Sequence, residues 1–168
     1  MPQNIEIKAR LPDRDRVEAT VRTLATSGPT LLEQEDVFFV VPHGRLKLRT
    51  INRTASELIY YEREDAPDPK PSNYRVVPVP DPVAMRDLLR QACGERGVVR
   101  KRRTLYLIGP TRVHLDDVEG LGHFLELEVV LTPEQPIEDG QSVARELMQK
   151  LGIDESYLVC GAYVDHLK

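Results

Sequence analysis

Charged side chains recur at every second position along several short segments, and they are sorted by sign. Cations lie two residues apart at Lys47 and Arg49, whereas carboxylates lie two apart at Glu126 and Glu128. Residues i and i+2 of a β-strand share one face, so each pair would project to the same side. Arg and Lys bind phosphate oxygens, and paired carboxylates supply the hard oxygen ligands of Mg²⁺ or Mn²⁺. The spacing therefore predicts phosphate and metal binding on strands.

The cationic set is larger than a single carboxylate ligand requires. By the alternation rule, about nine cations share the charged faces: Lys8, Arg45, Lys47, Arg49, Arg63, Arg75, Lys101, Arg103 and Arg112. A mixture of guanidinium forks and compact ammonium charges suits a polyphosphate. Candidate metal ligands on the same faces are Glu6, Asp116, Glu126 and Glu128. A site built on His and Cys is not indicated, and for His114 a hydrogen-bonding role in the barrel wall is favoured over proton transfer.

A solvated outer face is the ordinary explanation of a charged strand face. Its weakness is the segregation of signs, because solvated faces more often intersperse Lys and Glu as cross-strand pairs. If the apolar faces pack outward against helices, the ionic faces must point into a barrel. Buried charges are costly unless water, metal or a highly charged ligand compensates them.

The elements that would position these residues form a mainly β protein of the α+β class. Period-2 alternation predicts about eight strands, enough for a closed antiparallel barrel with helices packed outside. The predicted strands are residues 3–10, 34–41, 45–51, 56–64, 72–79, 98–108, 111–118 and 123–132. The predicted helices are 13–26, 81–93 and 139–151, with a short fourth near 155–167. Residues 67–71, rich in Pro, predict a loop or lid at the barrel mouth.

Length, net charge and cysteine spacing argue against several classes of protein. The chain has 168 residues, with Lys+Arg 23 and Asp+Glu 27, and the size predicts one domain over residues 1–168. The net charge of -4 argues against nucleic-acid binding. Neither a membrane span nor a signal peptide is evident, so we expect a cytoplasmic protein, monomeric or homodimeric. Cys93 and Cys160 lack the spacing of a disulfide framework or a zinc site.

The order of the charged motifs resembles the CYTH proteins, or triphosphate tunnel metalloenzymes. This family includes class IV adenylate cyclases, thiamine triphosphatases and inorganic triphosphatases. Its N-terminal signature Glu-x-Glu-x-Lys is matched by residues 4–8, with Asn4 in place of the first Glu. Further matches are Gln34-x-Asp36, Lys47-x-Arg49, Lys101-x-Arg103, Arg112 with Asp116, and residues 125–128. Residues 4–10 and 118–122 look most like the adenylate cyclase-like group.

The resemblance implies an eight-stranded tunnel with a role for each matching residue. Metal ligands would be Glu6, Glu126 and Glu128, with Asp116 a weaker candidate. Phosphate ligands would be Lys8, Lys47, Arg49, Lys101, Arg103 and Arg112, joined by Arg63 and Arg75 from the alternation. Where some members carry a lysine on the fourth strand, this chain has Tyr61 or Arg63. Arg stays protonated, so it can position a substrate but cannot act as the base, and Lys70 would take that role. The catalytic candidates are therefore Lys8, Arg63 and Lys70.

Three functions are compatible with this pattern. The favoured one is a metal-dependent enzyme that cleaves a phosphoanhydride bond of a nucleoside, thiamine or inorganic triphosphate by hydrolysis. A class IV-type adenylate cyclase, which makes cyclic AMP and pyrophosphate from ATP, would use the same walls. A non-catalytic module that binds polyphosphate or nucleotide is the third, with Asn4 marking lost catalysis.

Overall fold

The computed structural model describes residues 2–167 and shows eight antiparallel strands closed into a barrel. The strands are β1 (Gln3–Arg10), β2 (Ser27–Phe39), β3 (Arg45–Ile51), β4 (Ala55–Arg63), β5 (Lys70–Pro78), β6 (Glu95–Ile108), β7 (Thr111–Val118) and β8 (Gly122–Val130). Around the barrel their order is β1-β5-β4-β3-β2-β6-β7-β8. The expected α+β fold, mainly β and with a closed barrel, is confirmed.

Three strands, β2, β5 and β6, begin two or more residues earlier than the alternation predicts. β2 starts at Ser27, seven residues before the predicted start at residue 34, because its first part is held by pairing with β6 rather than by an apolar face. Leu31 in that part is 73% exposed. β6 begins at Glu95. β5 begins at Lys70, which pairs with Glu6 of β1 and therefore does not belong to the predicted loop.

Three α-helices lie outside the barrel, at α1 (Arg14–Leu24), α2 (Pro82–Cys93) and α3 (Ile137–Leu151). The Asp13 and Asp81 carboxylates accept backbone N–H groups in the first turns of α1 and α2. Instead of the predicted fourth helix, two short 3-10 helices form, Glu155–Tyr157 and Tyr163–His166. Among the described residues, no helix combines the length and apolar character needed to cross a membrane.

Most of the hydrophobic core lies between the outer face of the barrel and the helices, while a further cluster that includes Phe38, Ile59 and Val99 lies against the inside of the barrel. Its largest cluster joins side chains of β1, β7 and β8 to those of α1 and α3, among them Ile7, Val17, Val21, Val113, Leu115, Leu125, Leu127, Leu147 and Leu151. Burying each of these contributes about 1.5–3 kcal/mol. Because the apolar faces of these strands pack against the helices, their alternate faces point into the barrel. The sorting of the charged residues by sign predicts this arrangement.

Candidate active site

The barrel encloses a cavity of about 250 Å³, which we call the tunnel. Its lining includes seven cations and five carboxylates: Lys8, Lys47, Arg49, Arg63, Lys101, Arg103 and Arg112 with Glu6, Asp36, Glu57, Glu126 and Glu128. The tunnel wall therefore carries more cations than carboxylates, and apolar and aromatic side chains such as Phe38, Ile59 and Tyr61 complete it.

One predicted phosphate ligand, Arg75, does not face the tunnel. It is exposed on the outer face of β5, whereas Ser72, Tyr74 and Val76 of that strand line the cavity. Alternation explains the correction, because a residue at an odd position cannot share the face of its even neighbours. The other seven predicted phosphate ligands all line the tunnel.

Asp36 gathers three of the cations on one side of the tunnel. Arg49 donates Nε and Nη2 to the two Asp36 oxygens, each at 2.8 Å. The Nζ atoms of Lys47 and Lys101 lie 3.5 and 3.6 Å from Asp36 Oδ2. Burial favours the neutral carboxyl, but these three cations outweigh it and hold the pKa of Asp36 well below its usual range. Asp36 thus keeps the cations together when no ligand is bound, a role that the sequence motif did not reveal.

The two lysines of this group are poorly stabilised as cations. Burial and the neighbouring Arg49 lower the pKa of Lys47 to about 7, although Asp36 opposes the shift. Burial and Arg103 lower the pKa of Lys101 to about 8. An anionic ligand between them would supply the counter-charge that Asp36 alone does not.

Arg103 and Asp116 form a second buried pair. The guanidinium donates Nε and Nη2 to Asp116 at 2.7 and 2.8 Å, and the Tyr163 hydroxyl donates to Asp116 Oδ2 at 2.8 Å. Both carboxylate oxygens are therefore occupied. Asp116, predicted as a weaker metal ligand, instead orients Arg103.

An acidic group on β7 and β8 has the chemistry of a metal site. Ligand atoms of His114, Glu126 and Glu128 all lie within 4.8 Å of one another. Burial favours the neutral acid, but Arg103 and Lys8 hold the pKa of Glu126 well below its usual range, so it is ionised and able to bind a cation. Two carboxylates and an imidazole fit a divalent metal ion.

Glu6, the other predicted metal ligand, faces the tunnel but is engaged elsewhere. It pairs with Arg63, although it lies opposite Glu128 in the β1–β8 register. Asn4, which stands in place of the first Glu of the N-terminal signature, also contacts this group. Its Nδ2 donates to Glu128 Oε2 at 3.0 Å. The structure thus brings Glu126 and Glu128 together with His114 rather than with Glu6 or Asp116.

The three predicted catalytic residues differ in their ability to exchange a proton. Lys70 faces Glu6 across the β1–β5 pair, and burial and Arg63 lower its pKa to about 8. Burial also lowers the pKa of Lys8, whose Nζ lies 3.7 Å from Glu126 Oε1. Burial works against the charge of Arg63, but Glu6 outweighs it and raises the pKa, so Arg63 remains a cation. Of the three, Lys70 has a pKa low enough for a fraction of it to be neutral near neutral pH, whereas Arg63 stays charged.

The C-terminal segment, residues 158–167, contributes to the tunnel in a way that no sequence pattern indicated. The Gly161 carbonyl accepts hydrogen bonds from Lys8 Nζ at 3.0 Å and from Arg63 Nη2 at 2.9 Å. The Tyr163 ring centroid lies 4.0 Å from Lys8 Nζ. Asp165 fixes the segment by accepting from Arg45 Nη2 at 2.8 Å and by pairing with Arg96. Arg45, expected in the tunnel, is thus used to anchor this segment.

Comparison with known proteins places this geometry in a family. The CYTH domain matches residues 2–163. Adenylate cyclase CyaB from Aeromonas hydrophila is 27% identical over 172 residues, which cover 95% of this chain and 85% of that protein.

Two solved structures share the fold. The PH1012 protein from Pyrococcus horikoshii OT3 has a TM-score of 0.87 and 28% identity, over 98% of this chain and 99% of that one. HpAC1 from Hippeastrum, described as revealing a dominant triphosphatase activity, has a TM-score of 0.66 and 18% identity, over 95% and 91% of the two chains. Since the family match runs from β1 into the C-terminal segment, with the ionic tunnel between them, the chain belongs to the CYTH domain family.

Proposed function

We infer that this protein is a divalent-metal-dependent enzyme that binds a triphosphate in the tunnel and hydrolyses one of its phosphoanhydride bonds. The observation that carries this proposal is the convergence of seven cations on one enclosed cavity that also holds a carboxylate pair. Such a wall provides the two main requirements of phosphoryl transfer, which are positioning and charge neutralisation.

The charge balance supports a triphosphate with one metal ion. The seven cations and five carboxylates of the lining leave an excess of two positive charges when all are ionised. A triphosphate chain carries about four negative charges, and one divalent cation offsets about two of them. The ligand and its metal would therefore complement the tunnel.

Each part of the wall has a task in this proposal. Arg49, Lys47 and Lys101, held together by Asp36, bind phosphate oxygens, and Arg103, two residues from Lys101 on β6, does so beside them. Glu126 and Glu128 would hold the metal, which, when bound, neutralises phosphate charge and polarises the phosphoryl oxygens.

Proton transfer is assigned to a lysine. Attack of water on the terminal phosphorus forms one P–O bond and breaks the bridging P–O bond, and one water proton must leave. With a pKa of about 8, Lys70 is partly neutral near neutral pH and can accept that proton at Nζ. Arg63 remains charged and orients Glu6 through their ion pair.

A cyclase reaction is the second candidate, favoured by the relative named adenylate cyclase. In that reaction the ribose 3′-hydroxyl attacks the α-phosphorus of ATP, and pyrophosphate leaves. Phe38, Tyr61 and Tyr74 line the tunnel and offer rings against which a base can stack.

Product analysis separates these reactions. We would incubate the protein with ATP, inorganic triphosphate and thiamine triphosphate, with and without Mg²⁺ or Mn²⁺, and follow orthophosphate, pyrophosphate and cyclic AMP. Metal-dependent orthophosphate without cyclic AMP supports the proposal, whereas cyclic AMP with equal pyrophosphate supports the cyclase. Triphosphate binding with no product would identify a binding module.

A matched pair of variants tests the site itself. Glu126→Gln keeps the shape but removes a metal ligand, and it should lower metal-dependent turnover at least about 100-fold. Glu134→Gln, on an exposed residue after β8, should leave turnover unchanged. Equal turnover in the two variants would contradict the assignment of Glu126.

A further inference from the structure

His114 brings an unsatisfied nitrogen into the acidic group. Its side chain is 5% exposed, and Nδ1 lies 3.1 Å from Glu128 Oε1 and 3.8 Å from Glu126 Oε2. Even so, Nδ1 is buried with no hydrogen-bond partner of suitable geometry. Nδ1 thus lies close to two carboxylates without an aligned hydrogen bond, and a cation held between the three groups would satisfy all of them.

A second orphan atom adjoins the same carboxylate. Asn4 donates its Nδ2 to Glu128, yet its Oδ1 is also buried and unpartnered. Both side chains therefore contact Glu128 and leave a further polar atom unsatisfied. An amide oxygen and an imidazole nitrogen can both act as metal ligands.

The sheet register aims the imidazole at the metal-binding carboxylates. His114 on β7 lies directly opposite Glu126 on β8, and both line the tunnel. Residues directly opposite on antiparallel strands have Cβ atoms about 4.5–5.5 Å apart on the same face. The backbone therefore holds the ring beside the carboxylate pair.

We propose that His114 Nδ1 is a ligand, with Glu126 and Glu128, of the divalent cation in the tunnel, and that it makes the site prefer a first-row transition metal ion over Mg²⁺. This inference rests on the metal site of the proposed function and specifies its chemistry. Magnesium favours all-oxygen coordination, whereas an imidazole nitrogen suits first-row transition metal ions such as Fe²⁺, Ni²⁺ and Zn²⁺. Coordination through Nδ1 requires a neutral ring with its proton on Nε2.

Pulsed electron paramagnetic resonance of the full-length protein loaded with one equivalent of Mn²⁺ tests this directly, without any substrate. The wild type should show hyperfine coupling between the Mn²⁺ electron spin and a nitrogen nucleus, and ¹⁵N-labelled histidine should shift the coupling as expected for that isotope. His114→Gln should abolish the coupling, whereas His123→Gln, on an exposed residue of β8, should retain it.

Metal competition gives an independent readout. His114→Gln should bind Zn²⁺ about 10–100-fold more weakly than the wild type. Its Mg²⁺ affinity should change less than about threefold, because Mg²⁺ gains little from the nitrogen. An equal loss for both ions would contradict a role in metal choice.

The outcomes separate this inference from the proposed function. Mn²⁺ bound by the wild type without nitrogen coupling, and released in Glu126→Gln, overturns the role of His114 but leaves the carboxylate site intact. No Mn²⁺ binding by the wild type overturns both. The wild-type spectrum decides the matter even if His114→Gln does not fold.

Discussion

Binding of a triphosphate should draw protons into the tunnel, because the lysines beside Asp36 are underprotonated when the site is free. The pKa of Lys47 is lowered to about 7 and that of Lys101 to about 8. Phosphate oxygens placed between them would raise both pKa values toward the ordinary value. Groups whose pKa rises on binding take up protons, so binding through these lysines weakens as pH increases from 7 to 9.

The size of the uptake follows from the two pKa values. At pH 8, Lys47 would be about 90% neutral and Lys101 about half neutral, so restoring both charges takes up about 1.4 protons. At pH 6 both lysines are almost fully protonated, and the uptake falls to about 0.1 proton. The difference between the two pH values is well within the range of calorimetry.

Isothermal titration calorimetry with inorganic tripolyphosphate, repeated in buffers of different ionisation enthalpy, measures the number of protons taken up on binding. The phosphate chain exchanges protons of its own, and comparison with Lys47→Met cancels them. At pH 8 the wild type should take up about one proton more than Lys47→Met. Arg75→Met, on the exposed outer face of β5, should match the wild type.

The same proton count for the wild type and Lys47→Met at pH 8 would refute this reasoning. It would mean that Lys47 is already charged in the free tunnel or does not contact the phosphates. A difference that persists unchanged at pH 6 would also refute it, because almost no neutral lysine remains there.

Two further predictions concern stability and are checked by urea unfolding. Asp36→Asn leaves three buried cations without their shared anion and should lower the free energy of unfolding by about 3–5 kcal/mol. The exposed Asp117→Asn should change it by less than about 0.5 kcal/mol, and equal effects would contradict the role of Asp36. Gly140→Val should cost about 1–3 kcal/mol, because even a Cβ atom there would lie 2.5 Å from Ile5 Cγ1. Ser142→Val, exposed on the same helix, serves as its control, and a fully stable Gly140→Val would show that α3 is not packed this closely on β1.

Alternation was sufficient to predict the barrel because most strands separate their apolar and ionic faces cleanly. β1 and β8 illustrate this: Ile5 and Leu127 pack outside, whereas Lys8 and Glu126 line the tunnel. The rule fails where pairing replaces burial, as in the exposed first part of β2. There the neighbouring strand supplies the hydrogen bonds, and no side-chain pattern marks the boundary.

The sequence predicts which residue types form the site, but not which side chains pair with one another. Charge and spacing selected the tunnel cations, but the choice of Asp116 as a metal ligand overlooked its pairing with Arg103, which depends on the β6–β7 register. The β7–β8 register, equally invisible in the sequence, set His114 beside the carboxylates. The contacts of Gly161 and Tyr163 arise from the return of the chain end to the barrel, which a local pattern does not encode.

The length of the phosphate chain tests the central claim most directly. Orthophosphate, pyrophosphate and tripolyphosphate would be titrated into the wild-type protein at pH 7 with a chelator present, so that no turnover occurs. Each added phosphate should gain one or more charge-assisted hydrogen bonds from the tunnel cations, each worth about 1.5–3 kcal/mol, and affinity should rise about 10-fold or more per step. Affinities within about threefold of one another would show that the tunnel does not hold a phosphate chain.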